Sequence, residues 1–351
     1  MSQGAKFGGT VLVLLGLIAY PFLVNQFWLV QIGGRTLGFG TIALSLVFLA
    51  AYTGLLSLAQ MTIGGLAAYA VAFCTAPIGS AGFLLPWPVA LVLALVVATV
   101  SGLLIGLVAV RTEGIYTLML TLAIAMGVYY LTLQNYAIFN GFTGFTSVPT
   151  PPLIAVNQHP IAFYYTCLVL AAGSFGLVQY FVRTPFGLAL QATRDNPRRV
   201  RALGYDVQAL RVLGFGFGGF LAGLGGIMNL WLNGSVSPGS IALTPVTNVL
   251  IAAVLGGIAH PIGAYLGAFV FTVVNNFAID FFVRDRFNTL IGLVFLVVVL
   301  FSPDGIVGLG KRLRLFIRFI GRNRSLSGPV APAEPLGDRI ASIEKIKGET
   351  P

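Results

Sequence analysis

The stretch Gly305-Ile306-Val307-Gly308-Leu309-Gly310-Lys311-Arg312 approaches a phosphate-binding loop. Such a loop needs Ser or Thr after its lysine to ligate Mg²⁺, and a strand before it. Here Arg312 follows the lysine, and an apolar helical pattern ending at Ser302-Pro303-Asp304 precedes it. ATP binding by that route is excluded. Two histidines, His159 and His260, each precede a proline, and neither has a second His, Cys or carboxylate at metal-ligand spacing. Turn or cap roles account for both. No GxSxG or HExxH occurs, so no nucleophile or zinc-site motif is present. Cys74 and Cys167 form no close pair and read as small apolar packing residues. The expectation is a chain with no cofactor, no metal and no catalytic residue of its own.

What remains is polarity where it is expensive. Gln60, Gln134, Asn135, Asn229, Asn248, Asn275, Asn276 and Asp280 fall within or at the ends of apolar runs. Polar groups inside a bilayer often mark a solute path, although Asn also ties helices together. Gln60, Asn135, Asn229, Asn248 and Asn275 are the candidates for lining such a path. A carrier driven by an ion gradient usually holds carboxylates deep in the bundle. Glu113 sits at a span end beside Arg111, and Asp280 lies where it can pair with Arg284. That pattern argues against a proton-driven carrier.

Charge concentrates instead in one island, Arg183–Arg211, with six arginines and two aspartates in 29 residues. Between Phe7 and Val182 the only Asp, Glu, Lys or Arg residues are Arg35, Arg111 and Glu113. An island so charged must stand in water, and its positive excess places it on the cytoplasmic side. Its punctuation is helical. Thr184 caps and Pro185 takes the first helical position. Asp195-Asn196-Pro197 ends one helix and starts another, and Gly204 supplies a C-terminal stop. Two short helices with a sharp joint make a rigid knob that a cytoplasmic partner can reach.

The elements carrying these residues are membrane helices. The chain is 57% hydrophobic and 9% charged, with mean hydropathy +0.93, against about 25% charged in soluble domains. The apolar runs are long and continuous rather than alternating, so the spans are helices and not barrel strands. About ten crossings are expected, over residues 8–30, 37–54, 60–77, 87–110, 113–134, 160–182, 209–232, 244–258, 261–281 and 287–303; residues 244–281 alternatively cross once with a re-entrant piece. The first run lacks an A-x-A cleavage site and reads as a retained helix. With both termini cytoplasmic, Lys6, Arg111, the island and the Lys311–Arg324 cluster fall inside, and Arg35, Arg284 and Arg286 outside, in accord with the positive-inside rule. The net charge of +10 is thereby explained by topology and not by nucleic acid. Residues 313–351 form a polar, Pro- and Gly-rich tail expected to be disordered.

Glycine is the second organising signal. Gly214, Gly218, Ala222 and Gly226 recur every four residues, with Gly219 and Gly223 alongside; Gly102/Gly106 and Gly263/Gly267 repeat the spacing. Such faces let helix backbones approach closely in lipid. The segments IGGLAAYA at 63–70 and PIGAYLGA at 261–268 hint at an internal repeat of the kind transporters contain.

Four stretches together carry a resemblance: YTGLLSLAQMTIGGLAAYA at 52–70, RTEGIYTLMLTLA at 111–123, NGFTGFTSVPTPPL at 140–153, and FGLALQATRDNPRRVRALGYDV followed by the Gly-rich helix. The ending LFSPDGIVGL fits as well. They resemble the permease subunits of ABC importers for branched-chain amino acids, in particular the longer LivM-type permease, over about residues 36–312. Two departures stand out. Arg198-Arg199-Val200 occupy places where the family has Glu-Ala-Ala, and Gln60 stands where His is common, so neither a glutamate contact nor an imidazole role carries over.

The resemblance implies an all-α polytopic permease domain over residues 1–312. Its coupling loop, 183–211, would dock cytoplasmic ATPase subunits through Phe186, Arg194, Asp195, Asn196, Arg198, Arg199, Ala202, Leu203 and Gly204. It implies as partners a homologous second permease, two ATPase subunits and an extracytoplasmic solute-binding protein, in a bacterial or archaeal cytoplasmic membrane. The implied cargo is a branched-chain or related amino acid. Permeases of the same class for urea, amides or aromatic acids, and a stand-alone secondary transporter, remain as alternatives.

Overall fold

A bilayer core offers no water to backbone N–H and C=O groups, so each apolar segment must satisfy its own by coiling into helix. The computed structural model describes residues 16–75, 85–156, 158–281, 305, 306 and 308. Helices dominate these residues, and strand pairing among them is limited to an isolated bridge, Phe145 to Val236. Five helices are long and apolar enough to cross a membrane: α1 (Trp28–Thr53), α3 (Trp87–Ala109), α4 (Ile115–Gln134), α5 (Pro160–Arg183) and α8 (Val207–Asn233). Between them lie α2 (Gln60–Thr75), too short to cross upright, and the short pair α6 (Pro185–Asp195) and α7 (Pro197–Ala202). The chain continues through α9 (Leu243–Gly256) and α10 (Pro261–Phe281). The protein is thus an all-α, multi-pass membrane protein.

The count of about ten crossings is not reached among the described residues. They hold five spans, or up to six if the bent pair α9 and α10 makes one. The axes of that pair turn through 117° at the break, the geometry of a broken span or re-entrant loop. The run 287–303, most of the 8–30 run's first half, the Asp280–Arg284 pairing, the basic cluster 311–324 and the tail 313–351 lie outside the described residues.

One boundary differs plainly. The expected break between residues 30 and 37 does not exist; the chain breaks at Val24–Asn25 and then stays helical from Trp28 to Thr53. Gly33 and Gly34 are the reason. They sit in a widened π turn, Trp28–Gly34, where a Cβ would come within 2.9 Å of the Tyr164 and Phe163 rings respectively. The glycines seat two aromatic rings of α5 and do not turn the chain.

The core is organised around α1 and α8. Of their most apolar windows 83% and 72% of residues are buried, against 28% and 22% for α3 and α4. Without a hydrophobic force between helices in lipid, association relies on close packing, and the small-residue faces supply it. A Cβ on Gly102 would meet Phe215 O at 2.7 Å and Gly219 Cα at 3.0 Å, so α3 and α8 touch backbone to backbone. Gly64 of α2 faces Ala222 and Gly226 of α8 in the same way, and Gly256 of α9 faces Gly263 and Gly267 of α10. Gly214 and Gly218 lie against Thr53 and Leu49 of α1. Tyr265 of α10 donates to Ala171 O of α5 at 3.0 Å and lies 3.3 Å from Thr41 Oγ1 of α1, tying three helices together. Both cysteines are free and buried.

Candidate functional site

The charged island folds as its punctuation requires. Thr184 Oγ1 accepts from Gly187 N at 3.2 Å and starts α6 with Pro185 at its first turn. Asn196 ends α6 and caps α7, its Oδ1 accepting from Arg199 N at 3.2 Å, with Pro197 next. Gly204 takes φ +87°, a left-handed conformation in which a side chain would be strained. Asp206 then caps α8 by accepting from Gln208 N and Ala209 N. Four consecutive terminations by capping leave little slack, which makes the knob a rigid body.

One face of the knob is nailed down. Leu190, Thr193 and Val200 are buried, and Leu190 packs against Gly214 of α8. Gln191 Nε2 donates to Val182 O and Gly187 O. The Arg194 stem lies on Gly54, and its guanidinium donates to Ala51 O, capping the end of α1 nearest the knob. This arginine is a structural strut. The other face is bare: Arg198, Arg199, Arg201, Ala202, Gly204 and Asp206 are exposed, as is Asp195. At its centre Leu203 is 76% exposed and Tyr205 51%. An apolar tip ringed by arginines fits a protein groove that carries negative charge at its rim.

A stack of aromatic rings links the knob to the bundle. Phe186 of α6 meets Phe181 of α5 edge-on at 5.3 Å, Phe181 stacks on Phe217 of α8 at 4.3 Å, and Phe48 of α1 touches both. Packed rings resist compression, so a displacement of α6 passes to three spans. Beside the knob, Glu113 in the α3–α4 loop lies 3.9 Å from buried Arg211 at the start of α8. These residues are far apart in sequence, and neither charge alone signalled the contact.

The five polar path candidates fall on different elements. Gln60, fully buried at the start of α2, accepts from Ser45 Oγ at 3.1 Å and leaves its Nε2 without a partner. The non-helical segment before it is held by Thr121 of α4, whose hydroxyl accepts from Leu58 N. Asn135 caps the one-turn helix Tyr136–Phe139 by accepting from Ile138 N at 3.1 Å. Asn248 and Asn275 are half-buried on α9 and α10. Asn229 alone of the five lines the small recess between α2 and α8, whose cavity volume is about 40 Å³. Asn233, Ser235 and Ser240 share that lining. They lie at a helix end and in the following loop, outside the apolar spans where a polar residue stands out in sequence.

The recess stands at the end of α8 opposite the knob. Its rim is the α8–α9 loop, pinned from outside: Phe145 N donates to Val236 O at 2.8 Å, Val236 N returns the bond at 2.9 Å, and Val148 N donates to Gly234 O. Its inner limit is the contact of Gly64 with Gly226, one helical turn from Gln60.

Comparison with known proteins adds the context. Residues 28–300 match the family model described as the branched-chain amino acid transport system permease component. The chain is 25% identical over 321 residues to the high-affinity branched-chain amino acid transport system permease protein LivM of Escherichia coli K12, covering 85% of this chain and 74% of that one. It is 22% identical over 234 residues to the probable branched-chain amino acid transport permease protein LivM of Methanocaldococcus jannaschii, covering 62% and 68%. It is also 29% identical over 179 residues to the autoinducer 2 import system permease protein LsrC of Photorhabdus laumondii, covering 48% and 52%. No solved structure matches the chain.

Proposed function

This chain belongs to the family of branched-chain amino acid transport permease components, and from that premise we propose that it is one membrane-spanning subunit of an ATP-driven importer. The observation that carries the reading is the knob: a doubly capped helix pair, fixed on one face and bare on the other, with Leu203 and Tyr205 projecting among arginines. Its partner is a cytoplasmic ATPase subunit, one of two in the assembly. A second, homologous permease completes the membrane part. An extracytoplasmic binding protein delivers the solute to the face formed by residues 135–160. The termini and the island lie on the cytoplasmic side of a bacterial or archaeal membrane, and residues 313–351 form a tail outside the permease domain.

The mechanism is rigid-body transmission. Closure of the ATPase pair moves the knob, and Phe186 presses on Phe181. The ring stack with Phe217 and Phe48 carries the shift into α8 and α1. Because α8 touches α2 and α3 through glycines, its displacement re-seats both. The cargo is a branched-chain or chemically similar amino acid, selected mainly by the binding protein.

The test is co-purification of the ATPase subunits with a variant that alters the tip alone. Leu203→Asp removes no buried contact, since the side chain stands in solvent, yet it would bury an unpaired carboxylate in a docking groove, which is costly. The variant should insert normally and lose both the ATPase subunits and transport. Retention of both would sink the docking assignment.

A further inference from the structure

Arg35 is a fixed charge placed where a bilayer makes charge expensive. It stands in α1 about 10 Å inside the Trp28 end, and it is half-buried. It makes no hydrogen bond or ion pair with any described residue. A charge inside a span is retained for a functional partner, and for Arg35 that partner is not among the described side chains.

Helix register identifies its surroundings. Phe39 of α1 stacks on Phe271 of α10 with ring centroids 5.4 Å apart, and Trp28 meets Phe277, so the two helices run antiparallel. Gly256 and Gly267 set α9 against α10 in the same opposed sense. Phe39, Phe271, Ala252 and Leu255 form one apolar cluster joining α1, α9 and α10. One turn beyond that cluster, away from the knob, the same helix faces carry Arg35, Asn275 and Asn248. On α8 the Asn229 Cγ lies 3.6 Å from where a Gly38 Cβ would stand, three residues along α1 from Arg35. Arg35 thus shares one layer with three carboxamides from three helices. All four residues are half-buried, so the layer opens on one side. Asn248 and Asn275 have no hydrogen-bond partner among the described residues, and Asn229 gives one amide hydrogen to Gly225 O.

Carboxamides both donate and accept, so they do not select a ligand by charge. Arg35 does. Its guanidinium presents a planar fork of N–H donors that matches the paired oxygens of a carboxylate. Glu113, Asp195 and Asp206 all lie at the knob end of the bundle, and the Asp280 side chain is outside the described residues.

We infer that Arg35, flanked by Asn229, Asn248 and Asn275, is a carboxylate-binding position of the permease that takes the anionic end of the transported solute. The inference rests on the proposed transport role and deepens it: the binding protein selects the cargo, and the permease receives it by its carboxylate. A lipid phosphate offers similar oxygens, so the test separates the two sources.

The assembled permease, with its ATPase subunits, is purified in dodecyl maltoside, and bound radiolabelled L-leucine is measured by scintillation proximity without ATP or binding protein. Binding should be saturable. It should be displaced by 4-methylpentanoate, which keeps the carboxylate, and not by 3-methylbutylamine, which lacks it. Arg35→Gln should weaken leucine binding about tenfold or more, the loss of a charged hydrogen bond. Arg35→Lys, which keeps the charge without the fork, should bind with an intermediate affinity and the same preference for the acid. Asp280→Asn should bind as the unaltered protein does. No saturable binding, displacement by the amine but not the acid, or unchanged binding in Arg35→Gln would each overturn the assignment. A change in Asp280→Asn as large as that in Arg35→Gln would do so by revealing an internal ion pair. Displacement of leucine by added phosphatidylglycerol would do so by marking a lipid headgroup as the occupant. The displacement series uses the unaltered protein, so it decides without relying on a variant that fails to fold. Because the assay needs no ATP, these failures leave the importer reading intact; Arg35-dependent binding without ATP-driven uptake would instead overturn the importer reading alone.

Discussion

Replacing Gly226 by alanine should damage this protein more than replacing any glycine in open space. An added Cβ would sit 2.0 Å from Gly64 O, 2.4 Å from Gly64 C and 2.6 Å from Gly64 Cα. All three are backbone atoms of another helix, so no flexible side chain can give way. Reaching ordinary contact demands that α2 and α8 separate on the order of 1 Å, and overpacking of this kind costs about 2 kcal/mol. In lipid no hydrophobic force pulls the helices back together. Two controls bracket the effect. Gly218→Ala meets only Leu49 side-chain carbons, at 3.3 Å and beyond, so a small adjustment accommodates it. Gly127→Ala in α4 meets nothing within 4 Å and gains helix propensity worth about 0.5–1 kcal/mol. Thermal unfolding of the detergent-solubilised variants, followed by loss of monodispersity, should rank them Gly127→Ala, Gly218→Ala and Gly226→Ala from most to least stable. A Gly226→Ala protein as stable as Gly127→Ala would refute the backbone contact on which the packing argument stands.

Three further outcomes are expected. Tags inserted after Arg194 and after Lys311 should be reached only from the cytoplasm, and a tag near Thr150 only from outside; protease protection in oriented vesicles decides it, and Thr150 on the same side as Arg194 would contradict the topology. Asn248→Ala, on half-buried α9, should change the rate of transport more than its apparent affinity, measured by initial uptake over a range of solute concentrations. Thr121→Val removes the acceptor for Leu58 N, leaving a partly buried donor unpaired at a cost of about 1–3 kcal/mol, so its unfolding temperature should fall while Thr99→Val, whose hydroxyl only bonds back to Leu95 O, should leave it nearly unchanged.

Local rules made much of this legible in the sequence. Thr184-Pro185 and Asn196-Pro197 are cap-plus-proline pairs, and both start helices as written. The four-residue glycine spacing in α8 foretold close backbone contact, and the contacts exist with α2 and α3. What failed were inferences that needed the partner of a residue. Gly33-Gly34 followed by Arg35 has the composition of a turn, but two rings of α5 occupy the space those glycines leave. That the Asn135 side chain caps a one-turn helix was not read from its place at a span end. The recess escaped notice because two of its polar groups lie in a loop, and because burial of Asn229 depends on which face of α8 meets α2. The ion pair of Glu113 with Arg211 joins segments that only tertiary packing brings together.

The coupling we propose makes transport by this permease depend on an ATPase acting through the knob. Its most direct test is accumulation of radiolabelled L-leucine in proteoliposomes containing the chain, its partner permease and the ATPase subunits, with the binding protein supplied on the extracytoplasmic face. Uptake against a gradient should require ATP and the binding protein, and should vanish with Leu203→Asp. Accumulation by this chain without the ATPase subunits, driven by an ion gradient alone, would contradict the account.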